Sequence, residues 1–126
     1  MPTEPEPLEN PSELAARAIR DQLAAGAPLT MLDVREPAER SFAAIPVPEG
    51  VVDLFVPMRE VAARVDEIRQ AVAVAGGPVV VYCHHGVRSM AVARWLADQG
   101  MGPIVNLKGG VDAWSIEVDS GVPRYF

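Results

Sequence analysis

The segment VVVYC at residues 79–83 constrains the fold of this chain more than any other feature. It is an unbroken run of β-branched and aromatic residues, which is typical of a strand covered on both faces by other layers. A Gly-Gly-Pro break precedes it, and a short polar turn separates it from a helical pattern that begins near residue 88. Because a doubly covered strand that leads directly into a helix is typical of a parallel sheet, this segment predicts an α/β fold.

The rest of the chain repeats the alternation of strands and helices. Further strands are predicted at 29–34, 51–56 and 103–107, and helices at 10–26, 58–72, 88–100 and 109–116. In the first helix, Asn10 is the predicted N-cap, Pro11 the first helical residue and Glu13 the partner in a capping box. The predicted fold class is α/β, with three layers: a central, mostly parallel sheet of about four to five strands, and helices on both faces.

Length and composition predict one domain with a simple organisation. The 126 residues are 49% hydrophobic, which suits a single domain over residues 12–126. Residues 1–11 are rich in Pro and Glu and lack the features of a signal peptide, so they are predicted to form a disordered acidic tail. No apolar stretch is long enough to span a membrane, and a single cysteine excludes an intrachain disulfide. A reducing cytoplasm is therefore the expected location.

The distribution of charge narrows the class of partner. The formal net charge is -6, whereas a nucleic-acid-binding protein needs a basic surface for phosphate contacts. Residues 70–126 carry four acidic and four basic side chains, so the excess negative charge lies in the first part of the chain. We therefore expect no nucleic-acid partner, and an anionic substrate would not be repelled by the second half of the chain.

The one cysteine lies at the end of the predicted strand 79–83, in the segment YCHHGVRS. Parallel sheets form their sites at the carboxyl ends of strands, so Cys83 is placed where a catalytic group is expected. The amides of the following loop and of the first helical turn would stabilise a thiolate, and Gly86 permits a backbone in which those amides converge. Arg88 adds a cation, and Ser89 is the predicted helix cap. The pattern indicates an activated cysteine nucleophile in an anion-binding loop.

Cys83 has three alternative interpretations. A cysteine after a run of valines is commonly a buried core residue, but a polar, glycine-containing turn does not suit a core. His84 and His85 suggest a metal, yet they are adjacent to Cys83 and no other Cys or His exists, so we expect no metal site. Cysteine phosphatases and arsenate reductases place the loop arginine one position farther from the nucleophile, where this chain has Ser89. The shorter loop suits a sulfane sulfur better than a tetrahedral oxyanion.

Three motifs of the chain, taken together and in this order, resemble the single-domain rhodanese family of sulfurtransferases. They are LDVREPAE (32–39), YCHHGVRS (82–89) and NLKGGVDAW (106–114), and the ending VPRYF (122–126) is also similar. The resemblance implies an α/β fold and a catalytic Cys83 that carries sulfur as a persulfide, without a cofactor. It implies that the rest of the loop binds the substrate sulfur. These loop residues are His84, His85, Gly86, Val87, Arg88 and Ser89.

Several residues near the loop have open roles. Asp33 and Arg35 end a predicted strand on the same side as Cys83, so Arg35 either helps to hold an anionic donor or forms a structural ion pair, which we favour. His84 and His85 either assist proton movement or tune access and charge at the rim of the site. The family commonly has a GHIPGA-like segment where this chain has AAIPVPEGVV (43–52), and that departure bears on substrate preference.

The expected partners follow from the resemblance. The predicted function is transfer of a sulfane sulfur from a small anionic donor such as thiosulfate to a thiol or cyanide, with a protein as an alternative acceptor. A non-catalytic partner-binding or sulfur-relay module is the rival interpretation, and a phosphatase or arsenate reductase is a weaker one. Nothing in the sequence requires more than a monomer or weak dimer.

Overall fold

The computed structural model describes residues 9–126, and its centre is a five-stranded parallel sheet. The strands are β1 (Ser12–Leu14), β2 (Thr30–Asp33), β3 (Val52–Phe55), β4 (Val79–Tyr82) and β5 (Ile104–Leu107). They lie in the order β1-β5-β4-β2-β3, and every neighbouring pair is parallel. The strand β4, which includes most of the VVVYC run, lies at the centre and all of its residues are buried.

Helices cover both faces of the sheet. They are α1 (Ala16–Ala24), α2 (Pro37–Phe42), α3 (Val65–Ala75), α4 (Val87–Asp98) and α5 (Gly110–Glu117). Successive side chains of a strand point to opposite faces, and accordingly Val80 packs in one hydrophobic cluster while Val81 packs in the other. The first cluster contains residues of α1 and α5, and the second contains residues of α3 and α4. The predicted three-layer α/β architecture is thereby confirmed.

The predicted start of the first helix is wrong. Residues 12–14 form the short edge strand β1, paired with β5, and the helix begins only at Ala16. Asn10 is not an N-cap: its Nδ2 donates to the carbonyl of Met101, and its Oδ1 accepts from the amide of Ile104. The three residues are drawn into the sheet by backbone pairing with β5, which outweighs a local capping pattern. Residues 1–8, most of the predicted acidic tail, lie outside the described residues.

Two further elements differ from the prediction. Residues 58–60 form a 3-10 turn, so the helix predicted from residue 58 begins at Val65. The short helix α2 was not predicted, although Glu36, Pro37 and Glu39 form a capping box with proline at its first turn. None of the helices described between residues 9 and 126 has the length and apolar character needed to cross a bilayer.

The sheet brings the sequence motifs to one edge. Asp33 at the end of β2 is the register partner of Tyr82 at the end of β4, so Cys83 follows directly beside it. On the other side of β4, Asn106 in β5 is paired with Val81. The carboxyl ends of β2, β4 and β5 therefore surround Cys83, which is where open parallel sheets place their sites.

Candidate active site

Cys83 is the first residue of the loop that joins β4 to α4. Its Sγ accepts hydrogen bonds from the amides of Gly86 (3.1 Å) and Ser89 (3.3 Å), and the residue is only 1% exposed. Gly86 is the N-cap of α4 and has a φ of 98°, a left-handed conformation that turns the loop back over the sulfur. The loop predicted from the sequence therefore forms, with the sulfur against the first turn of α4.

Ser89 was predicted to cap the helix, and this prediction is wrong. It is the third residue of α4, and Gly86 occupies the cap position. The Ser89 hydroxyl lies 3.2 Å from the Sγ of Cys83 and donates a 2.6 Å hydrogen bond to Oδ1 of Asn106. The side chain turns toward the sulfur because Sγ of Cys83 and Oδ1 of Asn106 are both buried there and form hydrogen bonds with its hydroxyl.

The amino terminus of α5 supports the loop from the opposite side. The amides of Val111 and Asp112 donate to the carbonyls of Cys83 (2.9 Å) and His84 (3.1 Å). This approach requires glycine at position 110, where φ is 63° and a Cβ atom would overlap with both carbonyl groups. The double glycine of the third motif thus fixes the backbone that carries the cysteine.

The Gly110→Ala substitution is expected to reduce strongly the reactivity of Cys83. The added Cβ forces α5 away from the loop, and a displacement of about 1 Å at a reacting group commonly costs about 100-fold in rate. Gly26→Ala is the matched control, since Gly26 also has a positive φ (71°) but nothing within 4 Å of the added atom. Cysteine reactivity and thermal unfolding of both variants check this. Equal behaviour of the two variants would mean that strain in φ, not overlap with the loop, is what matters.

Arg88 is held by an ion pair and does not point freely into solution. Its guanidinium donates two hydrogen bonds to the Glu39 carboxylate, at 2.7 and 2.9 Å. The hydroxyl of Tyr125 also donates to Glu39, at 2.6 Å. The hydrogen bonds from Arg88 lower the pKa of Glu39 to about 2, although partial burial opposes this. Glu39 therefore links the cysteine loop to α2 and to the end of the chain.

The Glu39 ion pair predicts a particular acid sensitivity. Because its pKa is depressed in the folded protein, Glu39 contributes stability above its unfolded pKa, and this contribution is lost as the pH falls from about 4.5 toward 2. We expect Glu39→Gln to reduce the loss of stability between pH 6 and pH 3, measured by urea unfolding. Glu49→Gln, at an exposed position, is the control. Identical acid sensitivity in the wild type and Glu39→Gln would contradict this assignment.

Asp33 and Arg35 form a buried ion pair with each other. The Arg35 guanidinium donates to both carboxylate oxygens of Asp33, at 2.9 and 2.8 Å, and both residues are 0% exposed. Arg35 also donates to the carbonyl of Ala43 (2.6 Å) and to the hydroxyl of Tyr125 (3.0 Å). Burial alone would lower the pKa of Arg35, but the hydrogen bonds and charge of Asp33 raise it. The contacts of Arg35 are thus with protein groups that connect β2 to neighbouring segments.

The two histidines differ in their surroundings. His84 stacks on the ring of Tyr125, with centroids 3.9 Å apart. Its pKa is lowered mainly by burial and, to a smaller extent, by the charge of the nearby His85. His85 has 58% of its side chain exposed, and its Nδ1 is 3.9 Å from Asp112. Asp112 pairs more closely with Arg124, whose hydrogen bonds lower the pKa of that carboxyl. His84 is therefore part of the packing beside the loop, and His85 faces solvent.

The segment 43–52 contributes backbone and packing near the site. Ala43 is buried and accepts the hydrogen bond from Arg35, and Ile45 is 1% exposed within the first hydrophobic cluster. Ala44, at the position of the family's histidine, is partly exposed.

Four residues that contact the loop or its supports were not predicted from the sequence. They are Glu39, Asn106, Gly110 and Tyr125. All four lie inside motifs that the sequence analysis singled out, but their contacts join positions far apart in the chain. Two local signals could have found two of them: the capping-box pattern at Glu36 and Glu39, and the double glycine that contains Gly110.

Comparisons with known proteins agree with the α/β fold. A sequence model described as Rhodanese-like domain matches residues 11–117. A sulfurtransferase from Allochromatium vinosum is 32% identical over 106 residues, covering 82% of this chain and 88% of that protein. Thiosulfate sulfurtransferase from Pseudomonas aeruginosa superposes with a TM-score of 0.71 at 26% identity, covering 90% of this chain and 20% of that one. A rhodanese-like domain protein from Staphylococcus aureus superposes with a TM-score of 0.70 at 23% identity, covering 91% and 99%.

Proposed function

This chain belongs to the rhodanese-like domain family, and from that membership we propose that it is a sulfurtransferase with Cys83 as its nucleophile. It takes a sulfane sulfur from a small anionic donor such as thiosulfate and passes it to a thiol or to cyanide. The proposal is supported by relatives that are named sulfurtransferases and by the surroundings of the single cysteine. No step of this chemistry requires a metal or an organic cofactor.

The position of the Cys83 sulfur is the observation that carries the proposal. Two backbone amides, those of Gly86 and Ser89, already point at Sγ in the resting protein. Backbone amides at a helix amino terminus stabilise negative charge on sulfur, both on a thiolate and on the persulfide that replaces it. The loop is thus organised before any substrate arrives, which reduces the reorganisation that the reaction needs.

The reaction consists of two displacements at sulfur. The Cys83 thiolate attacks the outer sulfur of thiosulfate, so that a new S–S bond forms while the S–S bond of thiosulfate breaks and its electron pair leaves with sulfite. Cyanide or a thiolate then attacks the outer sulfur of the persulfide. This second step returns the electron pair to Cys83 Sγ and yields thiocyanate or a new persulfide. Both steps conserve charge, and they predict ping-pong kinetics.

The Arg88 contacts favour sulfur chemistry over phosphate chemistry. In a cysteine phosphatase the loop arginine grips the substrate phosphate with two hydrogen bonds. Here both terminal nitrogens of Arg88 bind the Glu39 carboxylate, with the Tyr125 hydroxyl on the same acid. The arginine is thus engaged by the protein, and the loop amides of Gly86 and Ser89 are the groups that point at the sulfur.

Intact mass after incubation with thiosulfate tests the proposal. A gain of one sulfur atom, removed again by cyanide or a thiol, is the expected result, and the single cysteine makes its location unambiguous. Mercaptopyruvate and an organic persulfide serve as further donors, and an aryl phosphate tests the phosphatase alternative. No sulfur adduct with any donor, together with turnover of the aryl phosphate, would overturn the proposal.

A further inference from the structure

A chain of hydrogen bonds runs from the edge strand β1 to the Cys83 sulfur. The Nδ2 of Asn106 donates to the Glu13 carboxylate (3.0 Å) and to the carbonyl of Gly86 (3.2 Å). Its Oδ1 accepts from the Ser89 hydroxyl at 2.6 Å, and the Ser89 oxygen lies 3.2 Å from Sγ. Asn106 and Ser89 are both 0% exposed, so bulk solvent does not reach these groups.

The chemistry of the partners fixes the direction of every bond in this chain. A carboxylate and a backbone carbonyl can only accept, so the amide nitrogen of Asn106 must face Glu13 and Gly86. The amide oxygen must then face Ser89, and an amide oxygen can only accept, so Ser89 must donate its one proton there. The Ser89 oxygen therefore has only lone pairs to offer Cys83, and it accepts the S–H of the thiol.

From this direction we propose that Asn106 is a positioning residue: it keeps Ser89 as a hydrogen-bond acceptor, so that the Ser89 side chain favours the thiol of Cys83 over the thiolate. The two loop amides favour the thiolate, and the Ser89 side chain opposes them. Ionisation of Cys83 must either leave a serine lone pair facing the negative sulfur or turn the hydroxyl away from Asn106. The second choice leaves a buried amide oxygen without a donor, which is costly.

The arrangement has a chemical consequence for a sulfur carrier. Thiolates, not thiols, are oxidised to sulfenic acid and beyond, so a contact that favours the thiol slows oxidation of the cysteine between turnovers. This consequence rests on the proposed function, in which Cys83 is the reacting group. The hydrogen-bond directions themselves do not depend on it.

The pH dependence of alkylation by iodoacetamide tests the proposal without any sulfur donor. In Asn106→Leu, the Ser89 hydroxyl is released and can donate to the thiolate. We expect the midpoint of the rate profile to move to lower pH by about half to one unit, the effect of one hydrogen bond. Thr30→Val is the matched control: it also replaces a fully buried polar residue of a central strand, and its hydroxyl has no partner among the described residues.

Ser89→Ala distinguishes a serine that accepts from the thiol from one that donates to the thiolate, because the two cases shift the alkylation midpoint in opposite directions. This variant can also be measured if Asn106→Leu does not fold. If Ser89 accepts from the thiol, its removal lowers the midpoint. If Ser89 instead donates to the thiolate, its removal raises the midpoint, which would overturn the proposal. Asn106→Leu added to Ser89→Ala should shift the midpoint no further. A shift of the same size in both backgrounds would mean a general disturbance of the loop and would also overturn it.

These measurements fail independently of the sulfurtransferase assignment. Loss of the sulfur adduct with donors would contradict the proposed function while leaving the alkylation profiles unaffected. Unchanged alkylation midpoints in the variants would contradict the role of Asn106 while leaving sulfur transfer intact.

Discussion

Cys83→Ser is expected to abolish sulfur transfer while leaving the fold intact. A serine hydroxyl can accept the hydrogen bonds that the amides of Gly86 and Ser89 give to Sγ, so the loop keeps its partners. At neutral pH it is not ionised, and it cannot form a persulfide. We expect the rate of thiocyanate formation from thiosulfate and cyanide to fall by at least about 1000-fold, as removal of a catalytic nucleophile commonly does.

A displaced thiol provides the control for this variant. Ser120 is exposed and lies outside the loop, so Ser120→Cys in the Cys83→Ser background restores one cysteine without its surroundings. This double variant should gain neither a sulfur atom in its mass nor activity. If the displaced cysteine accepted sulfur as well as Cys83 does, the loop geometry would not be what activates the thiol. If Cys83→Ser alone kept the wild-type rate, Cys83 would not be the nucleophile.

Elements with strong local signals were the ones that the sequence could predict. The strand β4 is a continuous apolar run, and all of its residues are buried at the centre of the sheet as expected. The segment 12–14 shows the opposite case, because its strand exists only through pairing with β5, about 90 positions away. The capping pattern at Asn10 and Glu13 favours a helix locally, but the hydrogen bonds to β5 determine the structure of this short segment.

The candidate site divides in the same way. The order of Cys83, Gly86 and Ser89 in a strand–loop–helix segment is local, so the loop and its amides could be predicted. The role of the Ser89 side chain could not, because its partner Asn106 reaches it from another strand. Arg88 was expected as a cation of the loop that helps to bind the substrate, and its ion pair with Glu39 depends on how α2 packs beside the loop. Sequence spacing fixes where the backbone groups lie, but the partners of long side chains are fixed by packing.

Arg35→Met is the second variant with a large expected effect, and the effect is on stability. It leaves the Asp33 carboxylate fully buried, with Arg40 at 3.3 Å as the one cation still paired with it among the described residues. Breaking a buried pair in this manner costs about 3–5 kcal/mol, a large part of the roughly 5–15 kcal/mol that stabilises a typical domain. Urea unfolding should show the loss as a lower midpoint with an unchanged slope.

The same variant decides between the two roles considered for Arg35. Adding Asp33→Asn removes the unpaired charge and should recover part of the lost stability, because the cost arises from the buried carboxylate. Arg20→Met is the control, since Arg20 pairs with Asp21 on the surface, where an ion pair contributes about 0–1 kcal/mol. If Arg35 instead bound the anionic donor, Arg35→Met would raise the KM for thiosulfate and leave the unfolding free energy nearly unchanged. That outcome would contradict the structural role, since it would mean that the contacts of Arg35 with Asp33, Ala43 and Tyr125 do not stabilise the fold.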